Sequence, residues 1–272
     1  MKTTSFLLSL VLIGSAVSPA LAGSELASLE VRPGVTQKMM VLEPDSSPKG
    51  VIVLYAGGVG TLDLGSFFGK PVIGNNSYAQ NFLVRVRDKF VDNGFVTVLP
   101  DVPSDRKKLD YRYRLGSDQI TDAKATLAYL KRRYPLPVWL AGTSASSLSV
   151  AHVASQLPDE MSGILLTASV TRVPSDYAVY ADFPQGTASA NLAAVKAPVL
   201  VLSNSEDACH LSPSADSETI RSRLSNSRRV EVKYLSGGDS PRSEPCDALS
   251  RHGFLGIEAD AVDSMMKFMV GS

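Results

Sequence analysis

Cysteine is scarce in this sequence: Cys209 and Cys246 are the only two among 272 residues, beside three histidines and one tryptophan. Two cysteines so far apart are too few for a zinc site of thiolate ligands. His152, His210 and His252 show no metal-binding spacing either, so neither a metal nor another cofactor is implied. Net charge is missing as well, since 27 Lys and Arg balance 27 Asp and Glu. A neutral chain with 7% aromatic residues and no long basic run has no field to draw in nucleic acid. Long hydrophobic runs are also absent. The most apolar stretch, Phe6 to Ile13, is interrupted by Ser9 and is too short to span a bilayer.

That stretch has a different use. Lys2 precedes it, and Ala20-Leu21-Ala22 follows with small residues where a signal peptidase reads the chain. This is the three-part layout of a secretory signal peptide over 1–22, with cleavage after Ala22. A lipoprotein anchor would need a cysteine at the cleavage point, and the first cysteine is Cys209. The expectation is an exported protein, periplasmic or extracellular, with no stable membrane anchor. In such a compartment two cysteines read as one disulfide.

Residues 23–272 are of a length that suits one α/β domain. Apolar runs rich in Val, Ile and Leu recur at Val51–Tyr55, Val96–Leu99, Val138–Ala141, Ile164–Leu166 and Val199–Leu202. Continuous runs of this kind suit strands buried on both faces of a parallel sheet. Val230–Tyr234 alternates, as an edge strand does. Helical patterns lie between them. Tyr78–Val91 ends at Asn93-Gly94, and Ile120–Leu130 carries an Ile120, Ala123, Leu127, Leu130 stripe. Ala145–Leu157 stops at Pro158, and Ala259–Met269 is apolar. The alternation predicts a mostly parallel sheet covered by helices on both faces. Thr171–Ala194 is a weakly patterned insertion that suits a small lid.

The chemistry concentrates at Gly142-Thr143-Ser144-Ala145-Ser146, where a strand ends and a helix starts at once. A nucleophile elbow requires this arrangement: a serine in a tight turn, small neighbours, and a helix N-terminus aimed at the site. The segment resembles the G-x-S-x-G signature of the α/β-hydrolase superfamily, with Ser146 in place of the last glycine. The resemblance extends over most of residues 23–272 and implies a serine, acid, histidine order along the chain. Asp207, after the Val199–Leu202 strand, best matches the acid, with Glu206 adjacent as the alternative. His252, in His252-Gly253-Phe254, matches the base. His152 and His210 do not match it by position.

The superfamily's oxyanion hole takes one backbone N–H from the residue after the nucleophile, here Ala145. The second comes from the loop after an early strand. Ala56-Gly57-Gly58-Val59-Gly60 resembles that loop, with Ala56 where a histidine often stands, and Val59 or Gly58 is the expected donor. A serine hydrolase cleaving a carboxylic ester or related acyl bond of a small substrate through an acyl-enzyme is the activity implied. A serine peptidase, or a binding protein on a hydrolase scaffold without turnover, stands as the alternative. The implied triad brings the acid and base loops together and pairs Cys209 with Cys246. Phe67 and Phe68, on the long loop Leu62–Asn76, are candidates to wall an acyl pocket or simply to pack. Pro103-Ser104-Asp105 sits where α/β ligands bind, and Arg112 and Arg114 are candidate contacts for an anionic substrate or solvated surface.

Overall fold

In the computed structural model, residues 23–271 are described; the expected signal peptide lies outside them. The chain opens with two strands, β1 (Ser24–Arg32) and β2 (Val35–Leu42), then β3 (Gly50–Tyr55). A small hairpin follows, β4 (Leu64–Phe67) and β5 (Lys70–Ile73). Three short helices come next: α1 (Asn76–Ala79), α2 (Phe82–Arg85) and α3 (Arg87–Asp92). The remaining elements are β6 (Phe95–Pro103), α4 (Tyr111–Arg114), α5 (Ser117–Arg133), β7 (Val138–Thr143), α6 (Ser146–Gln156) and β8 (Gly163–Thr167). After them come β9 (Val199–Asn204), α7 (Ser217–Arg223), β10 (Val230–Leu235) and α8 (Glu258–Val270).

Eight strands form one sheet in the order β1-β2-β6-β3-β7-β8-β9-β10. From β6 to β10 every pairing is parallel, while β1 and β2 add antiparallel at the other edge. Alternate residues of the central strands feed two separate cores. Val51, Val53, Leu140, Ile164 and Val201 face α5, α6 and α7, packing on Leu127, Val150 and Ile220. Ile52, Leu54, Ala141, Leu165 and Leu200 face the other way, onto Phe82, Phe90 and Met265 of α2, α3 and α8. A mostly parallel sheet with helices on both faces is therefore present, as expected.

Three details depart from the sequence reading. The expected Tyr78–Val91 helix is broken into α1, α2 and α3. Ser24–Leu42 forms a β-hairpin where no element was expected, because its polar, lysine-bearing pattern suits an edge rather than a buried strand. The segment holding Phe67 and Phe68 is the β4–β5 hairpin, not a pocket wall. The two rings stand at its tip, 64% and 91% exposed, 4.5 Å apart.

Candidate active site

The C-terminal ends of the parallel strands converge on the elbow between β7 and α6. Ser144 takes φ +54°, a left-handed conformation that non-glycine residues rarely hold. Its N–H donates to Thr167 O of β8 at 3.0 Å, which fixes the turn against the sheet. Ser146, where the superfamily has glycine, is fully buried and has a structural use. Its Oγ accepts from Thr143 N–H at 2.7 Å and lies 2.6 Å from Tyr55 O, tying the elbow to the end of β3. Ser147 Oγ donates to Ser144 O at 2.6 Å and accepts from Val170 N–H at 3.1 Å.

Asp207 and His252, the acid and base expected from the sequence, come from loops after β9 and β10. Asp207 Oδ2 lies 2.8 Å from His252 Nδ1, and both side chains are shielded from solvent, 1% and 4% exposed. Asp207 Oδ1 accepts Cys209 N–H at 2.8 Å, and Oδ2 also accepts from Ser212 Oγ at 3.1 Å. With Nδ1–H directed at a carboxylate, the tautomer is set and Nε2 is left with its lone pair. That Nε2 is buried and has no hydrogen-bond partner. Glu206 points elsewhere. It accepts Gly237 N–H at 2.7 Å and pairs with Arg251 at 3.0 Å.

The histidine loop is held from three sides. Ser250 Oγ accepts His252 N–H at 3.2 Å, and Phe254 is buried against Phe82, ring centres 4.8 Å apart. Arg85 of α2 donates to Ala248 O and Gly253 O while paired with Glu258. Gly253 is required by space, since a Cβ there would lie 2.0 Å from Ala248 O. Cys209 and Cys246 stand at disulfide distance, 2.07 Å between sulfurs, joining the acid loop to the segment before His252.

Two cavities meet at Ser144. One, of about 400 Å³, is lined by Ser144, His252, Gly58, Tyr78 and Asn81. The other, of about 530 Å³, is lined by Ser144, Ala145, Gly58, Val59, Tyr111 and Tyr177. Cys246 borders both. The residues expected at the oxyanion hole, Ala145, Gly58 and Val59, thus surround Ser144. Val59 N–H, however, donates to Tyr78 Oη at 3.2 Å. The Thr171–Ala194 insertion supplies Tyr177 to the second cavity and buries Gly186–Ala188 beside α6.

Other expected residues lie apart from the site or act differently. Arg114 lines neither cavity; its side chain is fully buried. Its Nη2 donates to Ala56 O at 3.3 Å and Gly58 O at 2.9 Å, and Nη1 to Ser149 Oγ at 3.1 Å. Burial lowers its guanidinium to about 10, through lost hydration. The sequence shows no trace of this, because an arginine in a Tyr111-Arg112-Tyr113-Arg114 run reads as surface. Arg112 is exposed and borders the second cavity. Asp105 belongs to an ion network with Arg32 and Arg106, and Ser104 Oγ accepts Thr36 N–H, so neither faces the cavities. His152 lies on α6, edge-on to Phe183, where burial lowers its pKa. His210 is exposed, 3.8 Å from Cys246 Sγ.

No protein-family model and no curated protein matches the chain. Solved structures do. An esterase from Pyrococcus furiosus is 11% identical, with 91% of this chain and 92% of that chain covered at a TM-score of 0.61. A dienelactone hydrolase from Anabaena variabilis is 17% identical, covering 92% and 98% at 0.59. An alpha-beta serine hydrolase homologue from Coxiella burnetii is 17% identical, covering 93% and 99% at 0.55. Identity this low with coverage this full speaks for architecture, and this chain has the α/β-hydrolase fold.

Proposed function

We propose that the protein is an exported serine hydrolase that cleaves a carboxylic ester or related acyl bond, with Ser144 as nucleophile, His252 as base and Asp207 as the orienting acid. One observation carries the reading. A serine strained to φ +54° shares a cavity with a histidine whose Nδ1 is bonded to a shielded carboxylate and whose Nε2 is unpartnered. In the reaction, Ser144 Oγ attacks the carbonyl carbon as its proton passes to His252 Nε2. The carbonyl oxygen becomes an oxyanion held by Ala145 N–H and by a second donor at the Gly58–Val59 loop. Collapse expels the alcohol, which takes the proton from His252. Water then releases the acyl group by the same steps in reverse order.

Two cavities of a few hundred Å³ meeting at Ser144 suit a small substrate divided at its scissile bond. The esterase and the dienelactone hydrolase among the similar folds support an ester in preference to a peptide. Export is supported by the layout of residues 1–22 and by the cysteine pair.

The test is labelling with a fluorophosphonate probe, followed by turnover of p-nitrophenyl esters of increasing acyl length. The wild type should be labelled at Ser144. Ser144→Ala should keep its melting temperature, lose the label and lose on the order of a million-fold in turnover. Label that persists on another serine, or a folded wild type that takes none, would refute the assignment.

A further inference from the structure

The Ala56–Gly60 loop keeps its carbonyls occupied away from the substrate. Ala56 O and Gly58 O accept from Arg114, Gly57 O accepts Gly60 N–H at 3.1 Å, and Val59 O accepts Leu109 N–H at 2.8 Å. Of its N–H groups, that of Val59 is engaged by Tyr78 Oη at 3.2 Å. Tyr78 comes from α1, is half-buried, and lines the same cavity as Ser144 and His252. Its ring rests directly on Gly58, which has φ +56°. A Cβ at Gly58 would lie 3.1 Å from Tyr78 Cε1 and 3.2 Å from Oη. Glycine at 58 therefore serves two needs, the left-handed backbone and the seat of the tyrosine.

Accepting the Val59 N–H uses one lone pair of Tyr78 Oη. A phenol oxygen still has a proton to give, and among the described residues this one has no acceptor. A hydroxyl that accepts one hydrogen bond also becomes a stronger donor in the next.

We propose that Tyr78 is a catalytic residue of the acyl transfer inferred above, donating its Oη–H to the substrate carbonyl oxygen as that oxygen becomes negative. The proposal rests on Ser144 as nucleophile. Val59 N–H then acts through the tyrosine, and Ala145 N–H is the partner donor. When Ser144 Oγ bonds to the carbonyl carbon, the π pair moves to oxygen and the Tyr78 bond strengthens. No proton is transferred to the oxyanion. The pair returns when the alcohol leaves, and the bond relaxes.

Tyr78→Phe tests this, because it keeps the ring on Gly58 and removes only the hydroxyl. Melting temperature, kcat and KM for p-nitrophenyl acetate, and the rate of Ser144 labelling by a fluorophosphonate should be measured together. The expected result is an unchanged melting temperature, kcat lower by roughly a hundredfold, KM within about twofold, and labelling slowed in proportion. If the hydroxyl merely covers Val59 N–H, its removal frees that donor, and kcat stays level or rises. Either outcome in a folded variant overturns the proposal while leaving Ser144 in place. A wild type that is neither labelled nor active overturns the nucleophile reading, and this one with it.

Discussion

Replacing both Cys209 and Cys246 with alanine perturbs stability and the proposed chemistry through one bond. The two positions are 37 residues apart in sequence. In the chain-entropy description, releasing a closed loop of that size returns roughly 4 kcal/mol of freedom to the unfolded state. For a chain of this length, about 2–4 °C of melting temperature accompanies each kcal/mol, so a fall of roughly 8–16 °C is expected. The bond also sits beside the proposed triad. Cys209 N–H donates to Asp207 Oδ1 at 2.8 Å, and Cys209 O accepts Ser212 N–H at 3.2 Å. Ser212 Oγ in turn contacts both Asp207 and His252, while Cys246 borders both cavities. Loosening this pair shifts the acid against the base, and an error of about 1 Å there costs on the order of a hundredfold in rate. Thermal unfolding and p-nitrophenyl ester turnover, each with and without reductant, measure the two parts. Two alkylatable thiols in the native protein would refute the bond itself. Activity unchanged after full reduction would refute the registering of the loops.

Two further substitutions address neighbouring assignments. Asp207→Asn should lower turnover on the order of ten-thousand-fold by disturbing the His252 tautomer. Glu206→Gln, whose side chain is 46% exposed and paired with Arg251, should leave kcat near wild type; the opposite pattern would transfer the acid role to Glu206. Arg114→Met should keep stability within about 2 kcal/mol, because the buried cation gives its three hydrogen bonds to uncharged acceptors and its desolvation opposes them. With the Ala56–Gly60 loop no longer pinned, kcat/KM should fall at least about tenfold. A folded variant with wild-type kcat/KM would show that the loop holds its shape without the arginine.

The sequence by itself determined the parallel sheet, since strands buried on both faces must be apolar throughout, and Val51–Tyr55, Val138–Ala141 and Val199–Leu202 are. It also singled out Ser144, Asp207 and His252, because the elbow, the post-strand acid and the His-Gly-Phe loop are local patterns. Tertiary structure decided what local pattern does not encode. The Ser24–Leu42 hairpin gained strand structure when its second strand, β2, paired with β6, a distant segment. Arg114 reads as surface until α4 packs behind the Ala56–Gly60 loop, where only the fold places three acceptors around one guanidinium. Ser212 joined Asp207 and His252, and Tyr78 reached Val59 from 19 residues away. A residue's propensity and period depend on its neighbours in the chain, whereas the partner of a buried polar atom depends on which distant segments packing brings within 3 Å.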